Sequence, residues 1–565
     1  MRITDIGHAG LLIETTGGTV VCDPWFTPAY FGSWFPFPRN DRLSDEVMQK
    51  IAECDVLYVS HSHKDHLDER FLAEHVNKDA RVLLPDFSIP LLRDELSAVG
   101  FHDFVPCPDR EWVDLGDGLR AAIMALDAPN VGPMGDSSLL IEDPSGRILN
   151  QNDAHPSNLD FATDGDGTDI HFLQHSGAIW FPMVYDLPQE EKDKLVAAKR
   201  RRQVDRASAY LAMVDAPHFV PMAGPPCFLD EDLFQFNDLP GNPTIFPDGP
   251  WFLQQQVDRG NDRGINTIPG TVIELADGEV TYPEGAVPAE DHARIYGNKE
   301  AELRAYAEDW ADWLEAEKAS WASRDDGPLL PGLKEWFDPL LADADHTRAG
   351  IGAAVGLIAG DERIVIDFPE GDVRPWRDDE SPAFWFRFPR ELVATAVRDR
   401  LPDWVNTLFL SCRFEAHRDG PYNEFVYTFF KSLSVERIAY CERYYAEHSG
   451  PGNRPLEWVE VEGWVLEKRC PHQGAHLDRV GEVEGTTITC GLHGWKFDLE
   501  TGECLTSEGE GTALRVRGRA DRVSEFAAHD EDDTSDATDA DADAEIAPTP
   551  GDAADDEPVE EHSAP

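Results

Sequence analysis

The sequence predicts an α+β multidomain fold: a layered α/β domain first, a middle α/β segment, and a small all-β domain near the C-terminus. Three observations carry this expectation. The chain has 565 residues, too many for one hydrophobic core, so two to four domains are expected. Short apolar runs alternate with helix-like stretches from the N-terminus to about residue 125. From Trp464 to Thr489, short β-prone runs are joined by glycine-rich turns.

Residues 3–6, 11–14 and 19–22 read as strands separated by Gly7-His8-Ala9-Gly10 and Gly17-Gly18. The third ends at Asp23-Pro24, which delivers a carboxylate at a strand's edge. Residues 26–38 are crowded with aromatics and prolines, which suits an ordered loop, either a lid or packing under the domain. Residues 54–60 are a β-prone apolar run, and His61, His63, Asp65 and His66 follow at its end. His61 and His63, two apart, converge from a tight loop; Asp65 and His66 serve a second, adjacent ion. Imidazole with carboxylate suits zinc, iron or manganese and does not choose among them. The bland alternative, a solvated polar turn, is poorly served by so narrow a pattern.

Helices are expected over 68–75 and 90–99, with a strand at 81–84 between them. A second cluster follows, where strand-like residues 147–150 lead into Asn152-Asp153-Ala154-His155, and strand 170–173 leads into Gln174-His175. A lone Asp or His in such places is usually a cap or turn residue, and Asp153 gains weight from the upstream motif. Residues 190–213 read as a long helix carrying Lys192, Lys194, Lys199, Arg200, Arg201, Arg202 and Arg206, which either meets an anionic substrate or partner, or pairs with nearby carboxylates. Residues 216–226 are expected to close the first sheet. One helix is expected over 288–322, with Trp310, Trp313 and Trp321 as a packing stripe. Residues 351–450 read as a further α/β segment, a substrate wall or a spacer.

Net charge is −59, and the last 36 residues, from Asp530 on, hold fifteen acids and no lysine or arginine. That tail is expected to be disordered. The folded part remains strongly acidic, which argues against nucleic acid as partner and suits a salt-loving organism's cytoplasm. With neither a signal peptide nor an 18-residue apolar run, a cytoplasmic location without membrane insertion is expected.

The nine cysteines form no disulfide framework, but two have a metal-binding context. Cys470-Pro471-His472 and Cys490-Gly491-Leu492-His493 make C-x-H, seventeen residues, then C-x-x-H. Two cysteines and two histidines also suit zinc. The paired loops resemble Rieske [2Fe-2S] domains, in which two cysteines hold one iron and two histidines the other. Respiratory Rieske proteins carry an additional cysteine in each loop and a serine beyond the second; Ala475, Leu492 and Trp495 stand there in this sequence. The resemblance therefore implies a lower-potential cluster of the oxygenase or ferredoxin type. Cys504 is expected as an ordinary buried thiol.

Residues 1–225 resemble the metallo-β-lactamase superfamily through Asp23, His61, His63, Asp65 and His66, which implies an αββα sandwich. The resemblance assigns the first two histidines to one metal, Asp65 and His66 to a second, and Asp153 to the bridging aspartate. The family's third-motif histidine, near 128–135, and its last, near 221–225, are missing; Asp127, Asn130, Asp136, His155, His175 and His218 are the stand-ins. Both halves together, with Ser176-Gly177-Ala178-Ile179-Trp180-Phe181-Pro182, resemble the CMP-N-acetylneuraminate hydroxylase family, with the domain order reversed.

These resemblances imply a lactamase-like domain over 1–250, a helical extension over 251–350, the middle segment over 351–450, a Rieske domain over 455–525 and an acidic tail over 526–565. They also imply a Rieske-coupled non-haem iron monooxygenase acting on a small substrate, with an anionic or sugar-nucleotide-like one as candidate. A ferredoxin, reductase or cytochrome-type donor feeds the [2Fe-2S] cluster on Cys470, His472, Cys490 and His493, and O2 is the oxidant. One or two irons, with zinc as the alternative, sit among His61, His63, Asp65, His66, Asp153, His155 and His175, with Asp65 and Asp153 in the catalytic role. Two alternatives stand beside this reading: a zinc hydrolase with a redox-sensing Rieske domain, and an electron-transfer protein with a degenerate lactamase-like domain. A cluster tethered beside hydrolytic zinc has no task, whereas beside iron it feeds O2 reduction.

Overall fold

The computed structural model describes residues 1–282, 289–323, 327–420, 422–448, 457–471, 474–492, 494–505 and 513–520. The acidic tail and the expected cluster ligands His472 and His493 lie outside them. The chain divides into two units, Met1–Gly452 and Asn453–Ser563.

In the first unit, the expected hairpins form as Arg2–Gly7, Gly10–Thr15 and Gly18–Cys22. Parallel strands Val56–Tyr58, Arg81–Pro85 and Phe104–Cys107 extend them into an eight-stranded sheet. Alternation along these strands sets two faces. Val20, Cys22, Val56 and Tyr58 pack inward with Ala121, Ile123, Leu139 and Phe172 of a six-stranded sheet. Val21, Leu57 and Val82 pack outward with Ile51, Phe71, Leu72 and Leu96 of the covering helices. Helix Gln189–Val214 follows strand Ile170–Gln174 of the second sheet, whose edge strand is His218–Met222. The result is the αββα sandwich.

Three expectations are corrected here. The strand–helix alternation stops at helix Leu91–Ala98, after which Phe104–Cys107, Val113–Gly116, Leu119–Leu126, Asp136–Asp143 and Gly146–Asn152 are all strands. The single helix over 288–322 is two, Ala289–Gly297 and Lys299–Ser320, broken at Gly297-Asn298, two poor helix formers. The 251–350 stretch is not wholly helical, because Val272–Ala276 and Glu279–Thr281 extend the first sheet beyond Arg2–Gly7. The aromatic loop packs rather than gapes: Trp25, Trp34, Phe35 and Phe37 are buried, and Phe35 meets Trp310 and Trp313 edge-on at 5.6 and 6.1 Å.

The middle segment is a five-stranded sheet ordered Asp372–Pro375, Glu362–Asp367, Ala354–Ala359, Phe384–Phe388 and Glu415–Arg418. Trp404 is fully buried there, with Phe337 and Phe430 at 5.4 and 5.7 Å. Trp404→Ala is expected to destabilise this region by about 3–5 kcal/mol, read as a lower urea midpoint.

Lys431, 2% exposed, is buried in the same segment. Burial pushes its ammonium from 10.5 down to about 8, against the pull of Asp403. Between those values the unfolded chain binds more protons, so stability rises with pH from about 8 to 10.5. Lys431→Met is expected to flatten that rise in thermal unfolding.

Among its described residues, the second unit holds two three-stranded sheets. One is Trp458–Val461, Trp464–Glu467 and Val516–Arg519; the other is Gly481–Glu484, Thr487–Cys490 and Lys496–Asp498.

Candidate metal centre

The histidine loop leaves the C-terminal end of strand Val56–Tyr58 and is pinned on both sides. Ser60 donates its N–H to Asp23 Oδ1 at 2.8 Å and its hydroxyl to Oδ2 at 2.7 Å. His63 O accepts from His66 N at 3.0 Å and Leu67 N at 2.7 Å, which closes a tight turn. Asp68 then caps helix Glu69–His75 through Phe71 N at 2.9 Å.

Among the described residues two donor groups result, one of His61, His63 and Asp153, the other of His8, Asp65 and His66; within each group the ligand atoms lie within 4.8 Å of one another. His61 Nε2 is 2.7 Å from His63 Nδ1, and His8 Nε2 is 2.9 Å from Asp65 Oδ2. Asp153 Oδ1 lies 3.5 Å from His66 Nε2, so this carboxylate joins the two groups.

Neighbours fix the orientation of each donor. Asp23 Oδ2 accepts from His66 Nδ1 at 2.9 Å, and Tyr30 donates its hydroxyl to Asp65 Oδ1 at 2.5 Å. His63 Nε2 is 2.7 Å from Asn406 Oδ1. Such outer contacts set the imidazole tautomer and ring direction. His8, Asp23 and Asn152 take φ of 56°, 39° and 45°, unusual for residues with a side chain.

Electrostatics favour a cation. Burial holds His61 and His63 down at about 4, neutral and ready to ligate. At His66 burial opposes charge, yet Asp153, Asp23 and Asp65 outweigh it and lift the ring to about 10. Burial lifts Asp136, 3.1 Å from His61 Nδ1, to about 7. Among the described residues no lysine or arginine forms an ion pair with Asp23, Asp65 or Asp153. His66 Nε2 and Asp153 Oδ1 are buried without a hydrogen bond, and a bound metal ion would give such atoms a partner. The residues therefore fit a metal pair, with iron or zinc both compatible with the donor set.

His155 and His175 are in neither group. His155 stacks on Tyr210 at 6.5 Å, and His175 Nδ1 lies 3.3 Å from Met222 O. Of the stand-ins, Asp136 lies against His61 and His175 has His8 in its electrostatic surroundings, whereas Asp127 accepts from Ser88 and Tyr440. Sequence reasoning missed His8, whose one local signal is a histidine between the glycines of the first hairpin turn. It also missed Asn406, for which no local signal exists. On the basic helix, Arg200 pairs with Asp238 and Lys194 with Glu190, so part of that charge is internally matched.

In the second unit Cys470 and Cys490 are fully buried. Their loops repeat one pattern. Cys470 N donates to Ala475 O and Gly474 N to Cys470 O, both at 2.8 Å; Cys490 N donates to Trp495 O at 2.8 Å and Gly494 N to Cys490 O at 2.7 Å. The same pair of backbone hydrogen bonds thus flanks each cysteine. Cys504 is half-buried rather than buried.

Comparison with known proteins agrees with both halves. Residues 2–99 match the Beta-lactamase superfamily domain, 329–447 the Rv3818-like, SCP2-like domain, and 457–517 the Rieske [2Fe-2S] domain. The middle match thus begins at the helices Leu330–Ala342 and Asp345–Ile351, before the expected boundary at 351. A cytidine monophosphate-N-acetylneuraminic acid hydroxylase of Danio rerio is 26% identical over 234 residues, 40% of this chain and 38% of its own length. Among solved structures, CmlA, a diiron β-hydroxylase from Streptomyces venezuelae, aligns at TM-score 0.31 and 15% identity over 50% of this chain and 54% of its own. A Mycobacterium tuberculosis Rieske 2Fe-2S iron-sulfur protein is 46% identical over 516 residues, covering 90% of this chain and 98% of its own, and a Mycolicibacterium smegmatis one is 45% identical over 519 residues with the same coverage. The chain belongs to the family of these mycobacterial Rieske iron-sulfur proteins, and it joins a metallo-β-lactamase-fold metal centre, distantly related to the CMP-sialic acid hydroxylases, to a Rieske [2Fe-2S] domain.

Proposed function

We propose that the protein is a Rieske-coupled non-haem iron oxygenase that hydroxylates a small, anionic substrate. The observation that carries this reading is the pair of donor groups joined at Asp153 in a chain that also bears a [2Fe-2S] domain. A [2Fe-2S] cluster, when held by the second unit, would supply single-electron transfer from an external donor of the ferredoxin, reductase or cytochrome type. Iron, when bound among His8, His61, His63, Asp65, His66 and Asp153, supplies O2 activation and C–H oxidation. The chain's own residues do the rest. Asp23 and Tyr30 hold His66 and Asp65 in place, and burial keeps His61 and His63 unprotonated.

Two points support an anionic substrate. The related hydroxylases act on a sugar nucleotide by name. Arg206, whose guanidinium bonds Gln174 Oε1 at 3.4 Å, has Tyr210 and Asp153 in its electrostatic surroundings.

The donor set also suits zinc, which keeps a hydrolase as the second reading. Anaerobically purified protein, assayed together for iron, zinc and acid-labile sulfide and then for O2 uptake with a chemical reductant, separates the two. About four irons per chain with reductant-dependent uptake is the expected result. Two irons plus stoichiometric zinc, with turnover indifferent to oxygen, overturns the oxygenase.

A further inference from the structure

We infer that the middle domain is a working part of the metal centre, and that Asn406 is a positioning residue for His63. This rests on the metal-site part of the proposed function and not on its oxygen chemistry.

Asn406 lies in the π-helical turn Val405–Phe409, where its own backbone departs from helix at φ −91°, ψ 19°. Turns of this kind recur at functional sites. The departure places its amide against the N-terminal domain, where Oδ1 meets His63 Nε2 at 2.7 Å. Which end of the amide faces the histidine follows from its other contacts. Nδ2 donates to Asp403 Oδ2 at 2.8 Å and to Gly132 O at 3.3 Å, both acceptors, so the oxygen is the end left for His63. Asp403 is itself held, by Asn406 N at 2.8 Å and by Arg437 at 3.2 Å. An acceptor at Nε2 requires that nitrogen to carry the ring proton. The lone pair of His63 is thereby assigned to Nδ1, which faces His61 Nε2 across 2.7 Å.

The contact engages the segment that departs most from the lactamase pattern. Gly132, which accepts from both Asn406 and Lys431, belongs to the stretch where the third-motif histidine is missing. There the middle domain packs on that stretch and orients a histidine from outside.

The test uses the full chain and Co2+ alone as probe, with affinity read by chelator competition and geometry by the cobalt ligand-field bands. Asn406→Ala is expected to weaken Co2+ binding by about 10–100-fold and shift those bands, with the [2Fe-2S] absorption unchanged. In a His63→Ala background the same substitution is expected to add nothing, because the effect runs through that ring. Lys431→Met is the packing control: it loses a contact to Gly132 but none to His63, and wild-type bands are expected. Asn406→Ser is read in the same way should the alanine variant not fold. Wild-type affinity and bands in the Asn406 variants, an equal shift in Lys431→Met, or a full additional loss on top of His63→Ala each overturns the inference. Wild-type protein that takes up no Co2+ in the first unit refutes the metal-site reading instead.

Discussion

Asp153→Ala is expected to cut the metal held in the first unit from two ions per chain to one at most, and to lower reductant-dependent O2 uptake by about 100-fold or more. Its Oδ1 is 3.5 Å from His66 Nε2 and 3.9 Å from His61 Nδ1, so one carboxylate serves both donor groups. The surrounding loop does not rely on that side chain. Asp153 N donates to Asn152 Oδ1 at 2.7 Å, and Asn152 Nδ2 reaches Ser137 O at 2.9 Å. The loss is therefore confined to the metals. Metal analysis beside a thermal melt checks this, and a variant that keeps two ions removes Asp153 from its bridging place.

Cys490→Ser is expected to abolish the [2Fe-2S] cluster, because a hard, short hydroxyl is a poor substitute for thiolate. Acid-labile sulfide falls to background, and electron-dependent turnover goes with it. The metal bound in the first unit stays, since its donors belong to the other unit. A variant that loses its sulfide and still turns over at the wild-type rate under reductant and O2 contradicts the proposed function outright. It would favour chemistry in which the cluster takes no part.

Much of this architecture is legible locally. The hairpins from Arg2 to Cys22 announce themselves by period and by glycine turns, and the loop from His61 to His66 by residue types that seldom occur together. Both paired cysteine loops are equally plain. What is not legible depends on distance or on ambiguous runs. Leu119–Leu126, with sequence LRAAIMAL, is apolar without a clear period, so strand and helix read alike, and the expected alternation overran. Tertiary pairing decides that stretch, not its composition. His8 becomes a candidate ligand only when the sheet places its turn beside Asp65. Asn406 has no pattern at all, and it enters through the docking of a different domain.

The bond between His63 and Asn406 spans 343 residues, and that separation has a consequence during synthesis. At about 5–20 residues per second, a nascent chain exposes its histidine loop roughly 20–70 seconds before the asparagine is even made. During that interval the early domain can fold around its sandwich core, but His63 lacks the acceptor that selects its tautomer. The contact that fixes the His63 ring therefore forms only late in synthesis, after the middle domain has been made.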